Sequence, residues 1–232
     1  FSSMTPCIKN EGGSCKILGD RIVATFGILD NRSSEESCQA ACRASLSMFQ
    51  QLQRLNTHRA IENSDPIKMA FGVHTGEITA GVIQPDDSFD YIFCGGAMDR
   101  VEFCKGVGKE YMSETFILVS DACHEMISSK FMFRELDKVS GGNYEAIRLF
   151  ELLGESKTDL DPIKGKACNH YREGLGHYKA RRWRIASEHF KKAWEVNFDK
   201  PGHMLYNRCK GYVESPLNAP MEDWDGSIHL DV

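Results

Sequence analysis

Two short apolar runs separated by one glycine–aspartate pair constrain this chain more than any other feature. The runs cover residues 15–18 and 21–26, and Gly19-Asp20 lies between them. A two-residue loop that begins with glycine is typical of a tight turn between antiparallel strands, because glycine readily adopts the positive φ that such turns require. The sequence therefore predicts a β-hairpin here, and with it an antiparallel sheet component in the fold.

Helical and extended patterns follow one another from residue 33 to residue 154. Ser33 followed by Glu35 and Glu36 is typical of a helix start, and apolar residues then recur at helical spacing, which predicts a helix over about residues 35–60. Further strands are predicted at 68–73, 77–83, 89–94, 115–119, 131–139 and 144–153. The strands at 68–73 and 77–83 are predicted to pair with each other, and those at 131–139 and 144–153 to form a hairpin. Further helices are predicted at 97–106 and from Asp121, as the cap, to residue 129. Strands and helices mix without regular alternation, so the fold class is α+β, with a mostly antiparallel sheet flanked by helices.

The pattern changes to helices alone towards the end of the chain. We assign residues 1–154 to the main domain, 155–166 to a polar linker, 167–215 to a short all-helical extension and 216–232 to an extended docking tail. In the extension, Gly174 and Tyr178, then Ala186 and Phe190, and finally Pro201 resemble the pattern of a tetratricopeptide repeat. One such unit cannot bury its own apolar face. We therefore expect it to pack on the main domain or on a partner protein.

Two stretches together resemble a known enzyme family. Residues 12–27 are GGSCKILGDRIVATFG and residues 71–83 are FGVHTGEITAGVI, and FILVS follows at 116–120. This ordered set is similar to the class III adenylyl and guanylyl cyclases, and the resemblance covers about residues 8–154. It implies a ferredoxin-like core made by a cyclase homology domain. It also implies that the chain lacks the first strand and the helices with which that domain normally begins.

The resemblance assigns roles to two residues of the predicted hairpin. In the family, two aspartates hold the two metal ions that clamp the attacking and leaving oxygens during cyclisation. Asp20 matches the second of them, so it is the candidate ligand for Mg²⁺ or Mn²⁺ if a nucleotide site persists; the first aspartate would lie upstream. Lys16 matches the base-selecting position and is the residue type of adenylyl cyclases. A lysine there is able to donate to the N1 acceptor of adenine.

Other family positions are altered, which indicates a degenerate site. Asp99 stands where the ribose-orienting asparagine is expected and is kept as a candidate substrate-binding residue, whereas Phe103 replaces the transition-state arginine. Ile92 replaces a second base-selecting polar residue, and Ser140 replaces a phosphate-binding lysine. No catalytic residue is assigned, because phenylalanine cannot donate a hydrogen bond to a developing phosphate charge. Arg100 lies one helical turn before Phe103 and is the alternative source of that donor.

The histidines are expected to be structural. His74 lies in a Val-His-Thr-Gly turn that the family shares, so we predict a structural hydrogen bond rather than catalysis. The remaining candidates, His124, His170, His177 and His189, show no ligand spacing in the sequence and are expected to form no metal site.

Composition narrows the classes of function. A net charge of -5 gives no general basis for binding nucleic acid. No apolar run approaches the ~18 residues that cross a bilayer, so no membrane span is expected in this chain. The nine cysteines have neither a C-x-x-C pair nor zinc-finger spacing, which predicts reduced thiols and a cytoplasmic location. Association with cilia or with a larger complex is compatible with that location.

Two hypotheses follow from the sequence. The favoured one is a degenerate cyclase homology domain that serves as a protein-binding, scaffolding or regulatory module in cyclic-nucleotide signalling. The alternative is the metal-binding half of an asymmetric adenylyl cyclase, which converts ATP to cyclic AMP and pyrophosphate with a partner domain. The expected partners are another cyclase-like domain, as a homo- or heterodimer, and a protein that binds the helical extension; no complete reaction is expected from this chain by itself. ATP is the expected ligand if a site persists.

Overall fold

A computed structural model describes residues 1–28, 30–83, 90–112, 115–141, 144–156, 158 and 160–230. The elements in chain order are α1 Thr5–Asn10, β1 Ser14–Leu18, β2 Arg21–Thr25, α2 Ser34–Ile61, β3 Ala70–Val73, β4 Thr79–Ile83, β5 Asp90–Cys94, α3 Gly96–Tyr111, β6 Phe116–Ser120, α4 Asp121–Ile127, β7 Met132–Gly141, β8 Tyr144–Gly154, α5 Pro162–Lys179, α6 Trp183–Asn197, α7 Lys200–Glu214 and β9 Ser227–His229. The mixed α+β class and the mostly antiparallel pairing are confirmed. Phe89 and the turn at residues 142–143, which the sequence analysis also assigned, lie outside the described residues.

The predicted hairpin and the long helix both form. Strands β1 and β2 pair antiparallel with Leu18 opposite Arg21, and Gly19 has a φ of +62°, the conformation that a two-residue turn requires at its first position. Helix α2 begins with a capping box, in which Ser33 and Glu36 satisfy each other's backbone N–H groups. Helix α1 precedes the hairpin; the absence of the family's first strand and helices stays a prediction.

A five-stranded sheet in the order β3-β6-β8-β7-β9 forms the centre of the molecule. Strand β6 is buried at every position, and its side chains alternate between two cores. Phe116 and Leu118 pack with α3 and the C-terminal helices, whereas Ile117 and Val119 pack with α1, α2 and α4. This alternation explains why β6 has a continuous apolar run instead of an alternating one.

The predicted pairing of the third and fourth strands is wrong. Strand β3 pairs in parallel with β6, and β4 pairs antiparallel with β5 in a separate two-stranded sheet. The reason is burial: Phe71 and Val73 of β3 belong to the core beneath α2 and α4, together with Ile117 and Val119 of β6. Thr79 and Ala80 of β4 are exposed. A second, smaller correction concerns α4, whose N-cap is Ser120; Asp121 is its first residue.

The helical extension is longer than predicted and packs on the main domain. Helix α5 begins at Pro162, capped by Asp161, so the linker is shorter than residues 155–166. Tyr171, Tyr178 and Phe190 are fully buried in the same core as α3 and the sheet. The extension therefore covers its apolar face with its own chain; its likeness to a tetratricopeptide repeat stays a prediction. Across the described residues, we find no helix with the length and apolar character to cross a membrane.

The tail is not a free docking segment. Strand β9 pairs in parallel with β7, with Ile228 opposite Val139. Trp224 donates from Nε1 to the Ser227 carbonyl at 2.6 Å and packs edge-on against Tyr178. The tail thus docks on the edge of its own sheet and against the helical extension.

Candidate functional site

The hairpin presents Asp20 to solvent. The Asp20 side chain is 96% exposed, and its Oδ1 lies 3.8 Å from Nε of the neighbouring Arg21. Lys16 lies three residues before Gly19, opposite Val23, and is partly buried. Arg21 reaches across to α3, where its Nη1 lies 3.2 Å from Oε1 of Glu102. We call this hairpin, together with the first turns of α3, the hairpin face.

Asp20 is not part of a larger ligand group among the described residues. Within those ranges Asp20 joins no group of three His, Cys, Asp or Glu side chains that could share one ion. The cyclase chemistry needs two aspartates around its metals, so Asp20 alone does not fit the Mg²⁺ or Mn²⁺ pair.

Two of the altered family positions, Asp99 and Phe103, lie on helix α3, one exposed and the other buried. Gly95 precedes the helix with a φ of +137°, and a side chain there would meet the Glu77 carbonyl. Asp99 is exposed in the first turn, where a carboxylate favours the helix N-terminus electrostatically. Phe103 lies one turn later, is 7% exposed and belongs to the core. Its ring packs close to Gly141, where any side chain would clash with it. Phe103 is therefore a core residue, as its apolar character predicts.

Arg100 does not replace the missing arginine in this arrangement. Its Nη1 donates to the Glu145 carbonyl at 3.1 Å, which ties α3 to the start of β8. The guanidinium also acts on His74: burial and then the charge of Arg100 lower the pKa of that imidazole. Both observations place Arg100 at the contact between α3 and the sheet.

His74 makes the structural hydrogen bond that the sequence predicts. Its Nδ1 lies 2.8 Å from Oγ of Ser120, so the loop after β3 is held to the end of β6. Because its pKa is lowered, the neutral imidazole is the favoured form in the fold.

Ser140 is covered by the tail, a contact that the sequence did not predict. Its carbonyl accepts from the Leu230 N–H at 2.8 Å, and its Oγ lies 3.5 Å from Nδ1 of His229. The position at which the family carries a phosphate-binding lysine is thus beside β9. Ile92, the other altered position, is 38% exposed on β5. The short length of the tail strand, three residues, explains why no sequence pattern revealed it.

Two of the four histidines, which the sequence predicted to form no metal site, lie close to one another and to a carboxylate. His170, Glu173 and His189 place ligand atoms within 4.8 Å of one another between α5 and α6. The spacing of His170 and Glu173, three residues on one helix, is a signal that was available in the sequence. The position of His189 on the next helix follows only from the packing of the two helices.

Comparison with known proteins gives consistent results. The family model described as adenylate and guanylate cyclase catalytic domain matches residues 4–140. A protein of Dictyostelium discoideum named adenylate cyclase, terminal-differentiation specific, is 26% identical over 212 residues. That match covers 88% of this chain, more than the main domain alone, so it extends into the helical extension; the chain spans 10% of the length of that relative.

Solved structures with the same fold are also cyclases. The adenylyl cyclase CyaB from P. aeruginosa is 18% identical with a TM-score of 0.61, and the match covers 69% of this chain and 81% of that one. The guanylate cyclase domain of RhGC from Catenaria anguillulae, solved with GTP, is 17% identical with a TM-score of 0.55, covering 66% of this chain and 79% of that one. At these identities the structures show a shared fold.

Proposed function

The chain belongs to the family of adenylate and guanylate cyclase catalytic domains, and from this premise we propose that it is a degenerate member acting as a regulatory or scaffolding module in cyclic-nucleotide signalling. The observation that carries the proposal is the burial of Phe103 in the core. The residue in the place of the transition-state arginine is a structural part of the fold, so the chain lacks this donor for a developing phosphate charge.

The loss of rate expected from one missing donor supports the absence of turnover by this chain alone. Removing one preorganised donor from such a site costs about 10²–10³ in rate, and an arginine on a transferring phosphoryl group contributes more. Arg100 is held by the Glu145 carbonyl. Ser140 pairs with the tail through its backbone. Two positions of the phosphate-binding half thus carry structural residues, and the alternative donor Arg100 is also engaged in a structural contact.

The hairpin face offers a surface for a partner domain. Ile17 and Leu18 are each 48% exposed on β1, next to Asp20. Exposed apolar side chains on a strand are typical of an interaction surface. We propose a second cyclase-like domain as the occupant, as a homo- or heterodimer. A further protein partner for the helical extension would have to use its outer surface, because its inner face is covered by the main domain.

Turnover of ATP by the chain tests the proposal. Purified protein is incubated with ATP and Mn²⁺ or Mg²⁺, and cyclic AMP is measured against a blank and against Asp20→Ala. We expect no product above the blank for either. Product well above the blank, abolished by Asp20→Ala, would overturn the proposal. Calorimetry with a non-hydrolysable ATP analogue then decides whether nucleotide binds without turnover.

The second candidate function is the metal-binding half of an asymmetric adenylyl cyclase. The exposure of the Asp20 carboxylate favours it, as does Lys16 at the base-selecting position. This function requires an acidic residue on a strand upstream of Phe1 and a partner domain that supplies the arginine. It predicts that a longer protein mixed with its partner forms cyclic AMP, that Asp20→Ala abolishes this and that Asp99→Asn does not. A cytoplasmic location stays a prediction under both proposals.

A further inference from the structure

Three side chains on helices α5 and α6 converge at the surface of the helical extension. His170 and Glu173 lie one turn apart on α5, and His189 lies on α6. Oε2 of Glu173 lies 2.9 Å from Nδ1 of His189 and 3.9 Å from Nδ1 of His170. All three ligand atoms lie within 4.8 Å of one another.

The two imidazole nitrogens of this group lack the hydrogen bonds expected of a simple ion pair. Both imidazole nitrogens are buried, and neither has a hydrogen-bond partner among the described residues, although a carboxylate oxygen lies close to each. A histidine that paired with a carboxylate at 2.9 Å would point its N–H at the oxygen. Ligand atoms that share a metal point instead at a common centre, and so not at one another.

The separations also fit a metal sphere. Zinc binds imidazole nitrogen and carboxylate oxygen at about 2.0–2.2 Å in tetrahedral geometry, which places two ligand atoms ~3.4 Å apart. The observed 2.9 Å and 3.9 Å lie on either side of that value. The Glu173 side chain is 58% exposed, which leaves it room to rotate.

We propose that His170, Glu173 and His189 form a binding site for a divalent transition metal, with Zn²⁺ as the metal that the ligand set fits. Two imidazoles and one carboxylate suit zinc, whereas Mg²⁺ and Ca²⁺ prefer oxygen ligands throughout. Three protein ligands leave a fourth position for water, and the exposed Glu173 gives the ion a path of entry. The ring of His177 stacks on His189 with centroids 5.4 Å apart and holds its orientation.

The bound ion would join α5 to α6 and stabilise the helical extension. An ion that binds the folded state in preference to the unfolded state raises the unfolding temperature by mass action. This site is separate from Asp20 and from any nucleotide, so it stands or falls independently of the proposed function.

Cobalt absorption is a direct test, because Co²⁺ in such a site absorbs visible light. The chain is stripped with a chelator and titrated with CoCl₂ and then ZnCl₂. The background carries Cys15→Ser and Cys94→Ser, since these are the cysteines that are not buried. We expect visible bands that saturate at one equivalent, no sulfur-to-cobalt charge-transfer band, and displacement by Zn²⁺.

Variants locate the site. Glu173→Gln keeps the size of an exposed side chain and is expected to weaken Zn²⁺ binding roughly tenfold or more; His170→Gln with His189→Gln is expected to abolish it. His58→Gln, an exposed histidine on α2, is the matched control and is expected to bind as the parent does. Zn²⁺ should raise the unfolding temperature of the parent and of the control, but not of the double variant. Undiminished one-equivalent binding by the double variant, a charge-transfer band from thiolate, or no binding by folded parent protein would overturn the proposal.

Discussion

Charged residues are exposed on the hairpin face but buried at the contact between the sheet and helices α5–α7. On the hairpin face, Asp20 and Asp99 are exposed to water. In the second region, which we call the helical joint, Arg134 and Asp199 are buried almost completely and paired with each other. The carboxylates of the candidate site are therefore little constrained by packing, whereas the charges that fasten the extension are part of the core.

The helical joint is built on a buried ion network. Arg134 on β7 donates from Nη1 to Oδ1 of Asp199 at 2.7 Å and from Nε to Oε2 of Glu151 at 2.8 Å. Lys164 on α5 adds a contact of 3.2 Å to Glu151. Burial alone would raise the pKa of the Glu151 carboxyl, but Arg134 and then Lys164 outweigh it and hold the pKa below its usual value. Each charge in the network therefore depends on its partners.

A second network stands beside the first. Arg208 on α7 donates to Oδ2 of Asp137 at 2.5 Å, and the Tyr111 hydroxyl donates to the same oxygen. Burial and then the carboxylate of Asp137 raise the pKa of Tyr111 well above its usual value, so the phenol keeps its proton. Residues from α3, β7 and α7 meet here, so the extension is fixed to the domain by specific polar contacts as well as by apolar packing.

Replacing Arg134 tests the helical joint with the largest expected effect. Arg134→Met removes the buried cation between Glu151 and Asp199 and leaves them only the partly exposed Lys164; breaking a buried pair in this way costs about 3–5 kcal/mol. Denaturant unfolding followed by circular dichroism measures the loss. The matched control is Arg148→Met, whose ion pair with Glu125 is largely exposed and contributes about 0.2–1 kcal/mol. Equal losses in both variants would contradict the difference between buried and exposed charges.

The sequence predicted the hairpin face better than the buried charges of the helical joint. The hairpin, helix α2 and the apolar β6 were predictable because their signals are local: a turn glycine, a capping box and a continuous apolar run. The role of Phe103 in the core was predictable from its chemistry. Arg134, Asp137 and Asp199 gave no such signal, because a charged residue in a strand or loop is ordinarily exposed. Their burial depends on contacts across more than sixty residues of chain, which no local pattern encodes.

Glycine substitutions test the packing within the helical extension. A Cβ on Gly174 would lie 2.9 Å from the ring of Phe190, whereas a Cβ on Gly176 would enter open space. Gly174→Ala is therefore expected to destabilise the fold by about 1–3 kcal/mol through overpacking, and Gly176→Ala to stabilise it by up to about 1 kcal/mol through helix propensity. Chemical denaturation of both variants checks the opposite signs. The same sign for both would show that α5 and α6 do not approach as closely as the structure indicates.

Acidification tests the neutral histidines that hold the sheet. Burial lowers the pKa of His74 and of His124 in the folded state. In the unfolded state the pKa of histidine is about 6.5, so as the pH falls through this value the unfolded state binds more protons than the folded state. Stability should be constant above pH 7 and fall as the pH drops from about 6.5 towards 5. Thermal unfolding across this range measures the fall. His74→Gln, which keeps a hydrogen-bonding group opposite Ser120, should reduce the slope; an unchanged slope would assign the titration to other groups.

The smallest effect is expected on the hairpin face, where Asp20→Asn should change the stability by less than about 0.5 kcal/mol. Its carboxylate is almost fully exposed and makes a contact of 3.8 Å with Arg21, which already has Glu102 as a closer partner. Gly19→Ala is the matched comparison, since it places a side chain at a φ of +62° and should cost about 1 kcal/mol. Thermal unfolding of the two variants ranks them. A larger loss for Asp20→Asn than for Gly19→Ala would mean that the carboxylate holds the turn, and the hairpin face would then share the structural character of the helical joint.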